Sequence, residues 1–165
     1  MKKAILFAAV LLCGLVLSAA GSDYYISRLD VSVDVGRNAV NNIEENYIFT
    51  YLTPHHGFYR YIPEKYSRGD VPRTVKIKNL NCSETYKTSH EKGYLVMQIG
   101  SASKTVTGDV PYSISYSYDI GADTNSGYDE FYFNLVGDGW EVPIENAAFT
   151  VNIPCTADEA QIWVT

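Results

Sequence analysis

Residues 131–154 read FYFNLVGDGWEVPIENAAFTVNIP, two alternating apolar segments joined by a glycine-rich corner. Phe131, Phe133 and Leu135 recur at a spacing of two in the first segment; Ala147, Phe149, Val151 and Ile153 do so in the second. Successive side chains of a strand point to opposite faces, so this spacing predicts two strands with one buried face each. Gly137 and Gly139 give the corner its backbone freedom, and Trp140 is the largest apolar body available to cover it. The stretch contains no recognisable reaction centre.

The same alternation recurs upstream. Leu29, Val31, Val33 and Val35 share one phase of residues 23–35, opposite Arg28, Asp30, Ser32 and Asp34. Residues 40–52 follow, with Ile43, Tyr47, Phe49 and Tyr51 in phase. Glu45 falls in that apolar phase; a frayed strand start suits it better than burial, because an unpaired buried carboxylate is costly. Thr53-Pro54-His55-His56-Gly57 breaks the pattern before a short aromatic strand, FYRYIP, at residues 58–63. Residues 64–72 read as a loop, 73–80 and 93–100 as strands, and 81–92 as a polar stretch with a weak edge strand. Tyr112, Ile114, Tyr116, Tyr118 and Ile120 then alternate with Ser113, Ser115, Ser117 and Asp119, the cleanest pattern in the chain. About eight short strands separated by turn signals predict an all-β fold, an antiparallel β-sandwich of immunoglobulin- or fibronectin-like architecture.

The chain has 165 residues, which suits one domain, here residues 23–165. Its first 20 residues stand apart: Lys2 and Lys3 precede an uncharged run to Ala20, ending in Ser18-Ala19-Ala20. This is the pattern of a secretory signal peptide, with an uncleaved N-terminal anchor as the alternative. Leu12 stands where a lipidated Cys13 would need a small residue, which argues against lipidation. Without Lys2 and Lys3, the 13 basic and 19 acidic residues become 11 and 19, a net charge of −8. So acidic a domain lacks the footprint of a nucleic-acid binder and the polybasic patch of a membrane-surface binder. Cys82 and Cys155 are left as either a disulfide, worth roughly 4 kcal/mol across so long a loop, or two separate thiols.

Candidate chemistry is sparse. His55 and His56 are neighbours, and neighbours in a strand point opposite ways, so they seldom share a metal; His90 is isolated. Asp123, Asn125 and Asp129 place oxygen side chains in one loop, a weak calcium candidate without the EF-hand glycine and terminal glutamate. Glu44-Glu45 and Asp129-Glu130 are adjacent pairs, which do not set the separation a glycosidase needs. No serine sits in a G-x-S-x-G elbow, and no cofactor motif occurs. Asn81-Cys82-Ser83 fits a glycosylation acceptor. Arg60, inside the aromatic strand, is placed to stack on Tyr59 or Tyr61, to pair with a carboxylate such as Glu45, or to hold a ligand.

Two stretches, HGFYRYIP at 56–63 and residues 131–154 with Asn134, Gly137, Gly139-Trp140 and Val142-Pro143-Ile144, resemble one family. It is the N-terminal domain of the predicted bacterial membrane proteins called domain of unknown function 2207 (YciQ-like). The order also matches: an exported start, IEENYIFTY ahead of the first stretch, and YSISYSYDI ahead of the second. The resemblance implies an extracytoplasmic β-rich domain followed by transmembrane helices and a cytoplasmic part, so this chain is expected to be a fragment of a longer protein. It implies no activity and no catalytic residue. Phe133 stands where the family pattern has tryptophan. The expected role is a non-catalytic binding module whose partner is a protein, an envelope polymer or its own membrane segment. The rivals are an envelope hydrolase using His55 or His56 with a carboxylate, and a free secreted adhesin-like domain.

Overall fold

A computed structural model describes residues 22–68, 71–121, 131–137 and 139–156, and all regular structure among them is strand. The predicted signal segment and the calcium-candidate loop lie outside the described residues. Ten strands run in chain order: β1 (Tyr24–Asp34), β2 (Val40–His55), β3 (Gly57–Pro63), β4 (Lys65–Arg68), β5 (Val71–Thr74), β6 (Lys76–Cys82), β7 (Tyr86–Glu91), β8 (Tyr94–Gly100), β9 (Val106–Asp119) and β10 (Ala147–Asn152). They form a five-stranded sheet in the order β10-β1-β2-β9-β6, a three-stranded sheet β3-β8-β7, and a separate hairpin β4-β5. The all-β expectation holds. Among the described residues no helix is long and apolar enough to cross a membrane.

The alternation read from the sequence sets which faces meet. Val31 and Val33 of β1, Ile43, Tyr47, Phe49 and Tyr51 of β2, and Tyr112, Ile114, Tyr116 and Tyr118 of β9 are all buried on one face of the large sheet. Phe58 and Ile62 of β3 and Leu95, Met97 and Ile99 of β8 are buried on the facing side of the small sheet. Together they make one core. Phe49 lies at its centre, with its ring centroid 4.2 Å from that of Phe58 across the sheets. Each such side chain withdrawn from water contributes roughly 1.5–3 kcal/mol.

The chain crosses from the large sheet to the small one within a single residue, His56, between β2 and β3. Gly57 and Gly100 face each other there, at φ 128 and φ 112. A Cβ on Gly57 would come within 1.9 Å of the Ile99 carbonyl oxygen, so the crossing requires glycine.

Three expectations need correction. Residues 131–137 form no strand; this segment instead lies irregularly across the core, with Phe131, Phe133, Leu135, Trp140, Val142 and Ile144 packed against it. Strand β10 does form, but it pairs in parallel with β1, from Leu29 opposite Ala147 to Asp34 opposite Asn152, so the large sheet is mixed rather than antiparallel. The supposed loop at 64–72 contains the β4–β5 hairpin, with Lys65 opposite Thr74. The weak edge strand expected in 81–92 is β7.

Candidate functional site

Strand β3 presents two different surfaces because its side chains alternate. Phe58, Arg60 and Ile62 point into the core, while Tyr59 and Tyr61 point out. The two sides have different chemistry.

On the inner side, Arg60 and Glu45 are each 1% exposed and bonded face to face. Arg60 Nε donates to Glu45 Oε2 at 2.8 Å and Nη2 donates to Oε1 at 2.7 Å. Tyr47 Oη donates to Oε2 at 2.7 Å and Tyr116 Oη to Oε1 at 2.8 Å. The remaining Nη1 donates to the Tyr61 carbonyl. The Trp140 ring lies 5.8 Å from the guanidinium carbon. Burial by itself would raise the Glu45 pKa, but the Arg60 charge and the hydrogen bonds from Arg60, Tyr47 and Tyr116 outweigh it and hold the carboxyl below its ordinary range. Burial also raises the pKa of Tyr47 and Tyr116 well above the ordinary value, so both remain donors.

Each Glu45 oxygen therefore receives two donors, and the carboxylate has no lone pair aimed at solvent. It is not a frayed-start residue, as expected from the sequence, but half of a buried ion pair. Of the roles open to Arg60, the structure shows the pairing with Glu45; its aromatic neighbour is Trp140, not Tyr59 or Tyr61. No ligand reaches a guanidinium so enclosed.

On the outer side, the β3-β8-β7 register aligns Tyr59 with Gln98 and Lys87, and Tyr61 with Val96 and Ser89. Val96 is buried although it faces outward, which marks the floor of a recess. The recess measures about 350 Å³, is partly open to solvent, and has Glu91 in its lining. Tyr59 is 53% exposed. Tyr61 is half-buried, with the Tyr94 ring set edge-on to it at a centroid distance of 6.2 Å. This surface was missed in the sequence, although the phase opposite Phe58, Arg60 and Ile62 was its signal.

The histidines are placed apart from one another. His56 is exposed, with Nδ1 at 3.1 Å from the carbonyl oxygens of Ser101 and Lys104. His55 is half-buried between the rings of Tyr24 and Tyr51, centroids 4.9 and 5.1 Å away, and its Nε2 has no hydrogen-bond partner. Among the described residues neither ring is hydrogen-bonded to a carboxylate. His90 instead meets Glu64 at 2.7 Å on the surface. No group of three His, Cys, Asp or Glu among the described residues could hold a metal ion.

Cys82 and Cys155 are both free. Cys82 closes β6 and Cys155 follows β10, at opposite edges of the five-stranded sheet. Four strand spacings of about 4.8 Å separate those edges by about 19 Å, beyond the reach of a disulfide at about 7 Å. Of the two alternatives for this pair, the structure carries separate thiols.

A family model described as the N-terminal domain of predicted membrane protein DUF2207 matches residues 25–165. The chain belongs to this family. No curated relative matches it. Among solved structures, it is similar to yeast LTA4 hydrolase in complex with bestatin at 10% identity and TM-score 0.39, over 58% of this chain and 14% of that one. It is also similar to a two-domain M1 zinc metallopeptidase variant bound to L-tryptophan, at 6% identity and TM-score 0.36, over 59% of this chain and 20% of that one. The chain thus spans about one sixth of the length of these structures. Likeness at this level transfers neither fold nor activity.

Proposed function

We propose that this domain is a non-catalytic recognition module on the outer side of the cell membrane, carried by a larger membrane protein on an immunoglobulin-like sandwich. The observation that carries the reading is the recess on the outer face of the three-stranded sheet. It combines exposed tyrosine, amide, hydroxyl and ammonium groups over an apolar floor, the mixture that ligand sites use. The buried Glu45–Arg60 charge pair, by contrast, is fully bonded and closed to substrate.

Binding is tested by mixing the full chain with washed envelope fragments and sedimenting them. The wild type is expected in the pellet, and the double variant Tyr59→Ala, Tyr61→Ala in the supernatant. Equal pelleting of the two would remove the recess from the reading. Orientation is tested separately through Cys155, which is exposed and free. A membrane-impermeant maleimide should label it on spheroplasts after mild reduction, with Cys155→Ser as the blank. Labelling that requires lysis would place the domain inside.

A further inference from the structure

We infer that the recess on the outer face of β3-β8-β7 takes a neutral polysaccharide chain. The inference rests on the recognition reading above and names the ligand class for that site.

The geometry suits a sugar chain. Tyr59 and Tyr61 are two residues apart on one strand, so their rings rise from the same face about 7 Å from each other along it. Pyranose rings present flat C–H faces that stack on aromatic rings, and two platforms in line engage successive units of a chain. Their hydroxyls both donate and accept. Across the strands, Gln98 offers both functions in one amide, Ser89 both in one hydroxyl, Lys87 donors and Glu91 acceptors. The recess is partly open to solvent rather than enclosed, so a chain segment can lie in it.

Charge narrows the class. Lys87 and Glu91 offset each other within the lining, and the chain as a whole carries a net charge of −6. A polyanion would be repelled at long range and would find no arginine for bidentate capture. Size argues against a folded protein. Three strands of six or seven residues offer a face of about 14 by 20 Å, on the order of 300 Å². A stable protein interface needs about 800 Å² from each partner.

The test is titration calorimetry of the full chain with neutral hexasaccharides: cello-, malto-, manno- and fully N-acetylated chitohexaose. At least one is expected to bind, with affinity reduced about tenfold or more by Tyr59→Ala. The melting temperature should not change, because Tyr59 lies outside the core. Gln98→Ala should weaken the same sugar. Binding that survives both Tyr59→Ala and Tyr61→Ala would overturn the site. If no hexasaccharide binds while envelope sedimentation still depends on Tyr59 and Tyr61, the neutral-sugar assignment fails and the recognition reading stands. If sedimentation also fails, both fall.

Discussion

Glu45→Gln is expected to destabilise the domain by about 3–5 kcal/mol, a large share of the 5–15 kcal/mol that domains typically have. The substitution keeps the side chain's shape and one oxygen for the tyrosine hydroxyls, but it leaves the Arg60 cation buried without a counter-charge. Urea unfolding followed by tryptophan fluorescence should show a lower midpoint at unchanged slope. The companion variant Glu45→Gln, Arg60→Met should recover part of the loss, since replacing a whole buried pair by apolar groups is often neutral. A single-variant loss under about 1 kcal/mol would mean that the pair does not anchor the core. The acid limb carries a second signature. The folded pKa of Glu45 is depressed below its ordinary 4.5, so its contribution is complete above that value and is lost as pH falls through the folded value. Wild type should therefore weaken more steeply than Glu45→Gln below about pH 4, and the gap between them should narrow.

Gly137→Ala is expected to cost about 2–5 kcal/mol, more than its size suggests. Gly137 sits at φ 81, where an L side chain is strained, and a Cβ there would come within 2.7 Å of Arg60 Nη1 and 2.9 Å of its guanidinium carbon. A free arginine end would swing aside cheaply. This one is fixed by two bonds to Glu45 and one to Tyr61, so either the loop or the ion pair must give. The two variants are therefore coupled. In the background of Glu45→Gln, Gly137→Ala should cost less than it does alone, because the guanidinium is already loosened. Additive losses in a double-mutant cycle would show that loop and pair are independent.

The parts legible in the sequence were those governed by period-two alternation. In β1, β2 and β9 the inward phase was read residue by residue, because a half-buried strand writes its burial directly into its pattern. Glu45 was misjudged because its partner lies 15 residues on, in another sheet, where no local pattern reports it. The other half of the pair was legible: Arg60, in phase with Phe58 and Ile62, was read as free to pair with a carboxylate such as Glu45, and the structure shows that pairing. The segment around Phe131, Phe133 and Leu135 failed for the opposite reason. An irregular chain lying across a core also buries alternate residues, and the absence of ladder partners cannot be read from its own sequence. The parallel direction of β10 had no local signature at all, since both directions share one side-chain period.

That direction has a mechanical meaning. The chain enters β1 at Tyr24 and leaves β10 at Asn152, beside Asp34, so its points of entry and exit lie about 35 Å apart along the sheet. Tension between them draws β1 and β10 past each other lengthwise. Their six paired positions then share the load at once instead of opening one after another like a zip. A pull applied at the two ends of this domain therefore meets it along its most resistant axis.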